Sequence, residues 1–229
     1  DLRVPPCKPA NETADFIKQC EEAGFAGVGI LDSQLLERDV FVSMAIAAQA
    51  TSKIRIASAV TNPVTRHPSV LASAFKTVAE IAPGRTEYWM GRGYSSVQTI
   101  GIKPASVKQM RESVLTMKSL LAGDEVDFDG SKSRMRHGGG EVPPIYISAT
   151  GPRAIEAAGE VADGVLLQIG LDPKAVELAR QHVEIGAKRA GRNPNEVEII
   201  LTATTIIDAD QKEAREAARP LCVQRLMEE

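Results

Sequence analysis

Short apolar runs and helix-period segments alternate along this chain, and that alternation restricts its fold more than any other feature. Gly27 to Leu31 (GVGIL) reads as a strand, and Asp39 to Ala50 follows with apolar side chains at helical spacing. Ile54 to Val60 (IRIASAV) is β-branched, and Val70, Leu71, Ala74, Phe75, Val78 and Ile81 then share one helix face. Arg85 to Met90 is the next strand. Ser106 with Gln109 has the form of a capping box before Val107, Met110, Val114, Met117 and Leu121. Three more pairs follow: Ile145 to Ser148 before a helix from Pro152, Gly164 to Ile169 before Pro173 to Ala190, and Val197 to Ile207 before Gln211. With Leu2 to Val4 as a first strand and Asn11 to Ala23 as its helix, about seven pairs are present.

Strict alternation means a parallel sheet, because parallel neighbours need a crossover and a helix is the usual one. The fold expected is α/β, a (β/α)8 TIM barrel forming a single domain over residues 1–229. Eight units close such a barrel, so the C-terminal unit is expected to be absent from this chain. Residues 124–140, after the fourth unit, break the pattern. Val126, Phe128 and Asp129-Gly130 predict a small hairpin there, and Gly138 to Gly140 a flexible link.

Net charge is -3, from 27 basic and 30 acidic residues, with no basic cluster, so neither nucleic acid nor an anionic membrane is an expected partner. The few aromatic residues, with one Trp, give no base-stacking surface. Trp89, inside a strand, reads as core. Cys7, Cys20 and Cys222 are too dispersed for a disulfide framework, and His67, His137 and His182 for a metal site. The expectation is a cytoplasmic protein with no export signal, no membrane span and no metal.

In a barrel, ligand chemistry gathers where the strands end, so the residues just past each strand are the candidates. They include Asp32-Ser33, Thr61-Asn62-Pro63, Arg92-Gly93-Tyr94, Ala149-Thr150-Gly151-Pro152 and Gln168-Ile169-Gly170. These small and polar groups suit a ligand lying across the barrel mouth. Asp32 fits a proton-transfer group and equally a carboxylate bonded to its own turn. Gly151-Pro152 opens a helix whose amides could meet a phosphate, although an ordinary strand-to-helix turn uses the same chemistry. Arg66-His67, ahead of Pro68, fits helix capping or contact with an anionic tail.

Gly29-Ile-Leu-Asp-Ser-Gln34, Ala59-Val-Thr-Asn-Pro-Val-Thr-Arg-His-Pro68, Gly151-Pro-Arg-Ala and Ala162-Asp-Gly-Val165 together resemble the bacterial-luciferase-like flavin oxidoreductases. The likeness spans nearly the whole chain and is nearest to the branch holding methylenetetrahydromethanopterin reductase. It implies a flavoprotein-type oxidoreductase, commonly a homodimer, holding FMN or a deazaflavin (coenzyme F-420). Hydride would pass between ring and small organic substrate, or reduced FMN with oxygen would act as a monooxygenase. The resemblance further implies a non-prolyl cis peptide at Ala59-Val60 behind the ring, Thr61 and Asn62 at its edge, and Thr150 and Gly151 on the phosphate. Ser33, Gly93, Ala149 and Gln168 complete the expected cofactor set, with Asp32 as the acidic group. Two departures stand out. Tyr94 occupies a place where relatives often carry an acid, and the clipped first strand, Leu2-Arg-Val, offers none.

Two other readings compete. Tyr94 and the absent unit suit a degenerate flavin-binding protein without turnover. A phosphate-handling isomerase or aldolase lacks a Schiff-base Lys or a Glu-His pair at a strand end.

Overall fold

The computed structural model describes residues 1–227, giving for 221–227 the helical backbone alone. Seven strands form one parallel sheet in the order β1 (Leu2–Val4), β2 (Gly27–Ile30), β3 (Arg55–Thr61), β4 (Thr86–Met90), β7 (Ile145–Ala149), β8 (Gly164–Leu167) and β9 (Glu198–Leu201). Each sequential neighbour pairs in parallel, as the alternation requires. The crossovers are α1 (Ala10–Glu22), α2 (Val40–Ala50), α3 (Pro68–Ile81), α5 (Val107–Ala122), α6 (Pro152–Val161) and α7 (Pro173–Arg189), with α8 (Gln211–Met227) after β9. Between α5 and β7 sits the antiparallel hairpin of β5 (Glu125–Phe128) and β6 (Ser131–Arg134). Asp129 and Gly130 turn it with positive φ, the backbone that a two-residue hairpin demands.

Period-two alternation along the strands divides the core. Ile56, Tyr88, Met90, Ile145, Ile147, Val165 and Leu167 face the helices in a large cluster with Leu71, Phe75 and Met117. Ala57, Ala59, Trp89, Tyr146 and Leu166 form a second cluster on the other face. Successive strands thus converge on a shared interior, the packing of a curled sheet. Trp89 is 3% exposed inside it, core as the sequence suggests. Burying each such side chain stabilises the fold by about 1.5–3 kcal/mol. The same face continues toward the strand starts as a polar layer. There Arg55 pairs with Glu87 at 2.6 Å, Trp89 Nε1 donates to Glu87 at 3.1 Å, and the Tyr146 hydroxyl donates to Glu198 at 2.7 Å.

Capping sets the helix starts. Asp39 accepts from the Phe41 and Val42 amides at the head of α2, and Ser106 and Gln109 form the expected capping box. His67 accepts from the Ser69 amide, so of the two roles open to it the structure displays capping.

Two expectations need correction. The strand expected over 197–207 stops at Leu201, because β8 ends at Leu167 and Thr202 makes the final bond to that carbonyl. β-branched residues beyond it have no neighbour to pair with. A short helix, α4 (Ser95–Gln98), was not anticipated, since four residues carry no readable periodicity. Cys7 and Cys20 are free thiols, and Cys222 lies outside the residues whose side chains are described.

Candidate active site

The strand ends are shaped by one irregularity in β3. Ala59 pairs with Trp89 and Thr61 with Met90, leaving Val60 as the extra residue of a bulge. The Ala59–Val60 peptide is cis, the arrangement that the resemblance implies. The bulge presses on both neighbouring strand lines. A Cβ at Gly29 would lie 2.5 Å from that of Ala59, and one at Gly91 would lie 2.9 Å from Val60 Cγ2. Only glycine fits either place.

Around this point Asp32, Ser33, Thr61, Asn62 and Arg66, which the sequence singled out, come together with Ser95 and Ser96 of α4, which it did not. Asp32, its side chain 2% exposed, accepts from Thr61 Oγ1 at 2.7 Å and from Arg66 Nη1 at 2.6 Å. Arg66 also reaches Asp39 at 2.7 Å and lies over the Phe41 ring. Burial opposes the Arg66 charge, but Asp32 and Asp39 outweigh it and hold its pKa above the ordinary value. Burial likewise opposes ionisation of Asp39, yet the Val42 amide and Arg66 bring its pKa below the usual range. Arg66 is therefore a clamp between two loops, a use different from both capping and anion contact.

Ser33 Oγ lies 2.8 Å from Ser95 Oγ, Gln34 donates to the Ser96 carbonyl at 2.5 Å, and Asn62 Nδ2 donates to Ser96 Oγ at 3.0 Å. Asn62 Oδ1 accepts from the Val64 and Thr65 amides and from Thr65 Oγ1. Thr61 and Asn62 are 0% and 1% exposed, so their side chains are spent on holding the mouth together. Gly93, at φ 89°, turns the chain into α4, and a Cβ there would meet Val97 at 2.8 Å.

The remaining expected residues sit at the ends of β7 and β8. Gln168 bonds Ser148 Oγ at 2.9 Å, and its amide bonds the Ala149 carbonyl. Thr150 is exposed and Gly151 half-exposed at the start of α6. Gly151 caps that helix without any side-chain bond, its φ of -96° is open to other residues, and a Cβ there would meet nothing within 4 Å. Pro152 carries no N–H. The Gly151 and Arg153 amides have no acceptor among the described residues. A helix start left open, without a packing reason for its glycine, fits the phosphate of a ring cofactor.

The sequence reading missed two ionisable groups. Arg3, whose neighbours Leu2 and Val4 pack toward the helices, turns to the interior and donates to the Ala59 carbonyl at 3.3 Å. Glu37, on the loop after β2, has a buried carboxyl oxygen, and Gln34 a buried amide oxygen, without a hydrogen-bond partner among the described residues. Burial pushes the Glu37 carboxyl up, Asp32 adds to the rise, and Arg3 opposes it. Tyr94, in the place where an acid was looked for, is exposed. Among the described residues there is no cluster of metal-ligating side chains and no helix long and apolar enough to cross a membrane.

Parallel strands whose ends carry small residues and polar loops make an α/β protein with its candidate site at the strand ends. The chain belongs to the luciferase-like monooxygenase family, whose profile matches residues 3–228. The 5,10-methylenetetrahydromethanopterin reductase of Methanolobus tindarius is 35% identical over 221 residues, covering 93% of this chain and 67% of its own length. The enzyme of that name from Archaeoglobus fulgidus is 33% identical over 89% of this chain and 63% of its own. The coenzyme F420-dependent tetrahydromethanopterin reductase from Methanopyrus kandleri superposes with a TM-score of 0.79 at 29% identity, covering 94% of this chain and 68% of that one. This chain thus spans about two thirds of the length of these relatives.

Proposed function

We propose that this chain is a deazaflavin- or FMN-dependent oxidoreductase that moves hydride between the ring and a small organic substrate. The open start of α6 is the observation that carries the reading, because packing does not demand its glycine and two amides there have no acceptor among the described residues. Thr150 and Gly151 would hold the phosphate, with Ala149 and Gln168 shaping its approach. The Ala59–Val60 bulge would support the ring, flanked by Gly93, while Ser33, Thr61 and Asn62 keep the strand ends fixed. Asp32 would be the acidic residue beside the ring. When bound, the ring supplies the two-electron chemistry, and the protein supplies position and field.

Relatives named as reductases of a methanopterin substrate and as F420-dependent enzymes favour the deazaflavin over FMN and oxygen. An eighth strand-helix unit pairing with β1 and β9 would complete a barrel. Homodimerisation through α2 is part of the proposal, supported by a helix with no charged residue whose Val42 is exposed. Tyr94, exposed where an acid was expected, favours a second reading as a cofactor-binding protein without turnover. Absorbance and fluorescence titration with coenzyme F420, FMN and riboflavin tests the first reading, and binding of neither phosphorylated cofactor would refute it. Oxidation of the reduced cofactor by added substrate separates the enzyme from the silent binder.

A further inference from the structure

We infer that Glu37 is a second carboxyl of this site and the one that holds its movable proton, while Asp32 is tied by Arg66 and Thr61. The inference rests on the proposed oxidoreductase reading and adds a residue to it.

Geometry places Glu37 at the mouth. Its backbone amide bonds the Ser33 carbonyl at 2.9 Å, closing a tight turn directly after Asp32. Leu35, at φ 74°, completes the turn, and the next residue, Arg38, is tied to the Pro6 and Cys7 carbonyls. The charged groups that face Glu37 are Asp32, from its own loop, and Arg3, from β1. Arg3 reaches the Ala59 carbonyl, so Glu37 lies among groups that border the bulge. From α4 the loop meets the neutral Ser95 and Ser96.

The two carboxyls differ in their partners. Asp32 has an arginine and a hydroxyl as donors, both to Oδ2. Glu37 Oε2 is out of water and has no donor among the described residues, a setting in which a proton is favoured over a charge. Two carboxyls in such unlike surroundings can divide the work, one held in place by its donors and one free to carry a proton. On turning its carboxyl outward, the half-buried Glu37 would give the proton to a group bound over the mouth, leaving the carboxylate, and solvent would return it.

The test follows side-chain carboxyl resonances of glutamate-labelled, cofactor-free protein through a pH titration. One glutamate should titrate above the ordinary range and vanish in Glu37→Gln. Its midpoint should fall in Asp32→Asn, which removes a like charge, and rise in Arg3→Met, which removes an opposite one, by roughly half a pH unit or more each. These two variants keep Glu37 and so read it even if Glu37→Gln misfolds. A Glu37 that titrates with the exposed glutamates, or ignores both substitutions, overturns the proton site. Cofactor titration of the same samples separates the two levels. A chain that binds cofactor with an ordinary Glu37 loses only this inference, and one with the displaced Glu37 that binds no cofactor loses only the functional reading.

Discussion

Replacing Gly151 with Asp should make the protein more stable and a poorer cofactor binder at once. The N-cap of α6 has no side-chain acceptor, and a side chain at 151 would meet no neighbour. Aspartate is among the preferred caps, so its carboxylate should accept from an amide of the first turn and add a favourable charge at the helix start. Together these effects contribute about 0.5–1 kcal/mol, which for a chain of this size raises Tm by about 1–4 °C. The same carboxylate would occupy the amides that a phosphate needs and would repel it. Two charge-assisted bonds are worth about 1.5–3 kcal/mol each, so losing them costs at least about 3 kcal/mol, near a 150-fold rise in Kd. Riboflavin, with no phosphate, should bind parent and variant within a few-fold. Thermal melting and calorimetry with coenzyme F420, FMN and riboflavin measure both halves. A stabilised variant with undiminished affinity for the phosphorylated cofactors would place the phosphate elsewhere.

Asp32→Asn should lower turnover by about 10²-fold, the size of a lost electrostatic contact at a reacting centre, with cofactor affinity nearly unchanged, and kinetics beside a binding titration would reveal any other pattern. It should also cost about 2 kcal/mol in urea unfolding, less than an orphaned buried charge usually does, because Asp39 still pairs with Arg66. Gly186→Ala should destabilise by about 3 kcal/mol or more, since a Cβ there would lie 1.9 Å from the Glu156 carbonyl; an unaltered unfolding midpoint would disprove the α6–α7 contact. Glu21 accepts from the Ser52, Lys53 and Ile54 amides, and the Ile54 bond above all pulls its carboxyl down to about 2. A depressed folded pKa means stability that is present above pH 4.5 and lost as pH falls toward 2, so Glu21→Gln should flatten the stability curve across that window.

The order of strands and helices was legible because each element repeats its own period over enough residues, as Ile56 to Ala59 and Leu71 to Val78 illustrate. What failed was what depends on a partner. The run after Leu201 has strand chemistry and no strand beside it, and α4 is shorter than any period. The strand ends told which residues gather at the mouth but not how they are used. Arg66 stands beside a helix start in sequence, yet its partners are Asp32 and Asp39, 34 and 27 positions away. Arg3 seemed only to mark a clipped strand, although alternation with Leu2 and Val4 already pointed it inward. Glu37 sits in a loop where no pattern exists, and only its buried, unpartnered oxygen singles it out.

The short helix α4 ties together three segments that are far apart in the chain. Ser95 and Ser96 hold Ser33, Gln34 and Asn62, so the loops after β2, β3 and β4 share one fastening. Such loops cannot be exchanged one at a time. A segment transplanted from a relative into any one of them would arrive without its matching hydroxyls, and reshaping substrate preference here requires moving the three as a set. Substitutions spread across them should combine non-additively even where the side chains never touch.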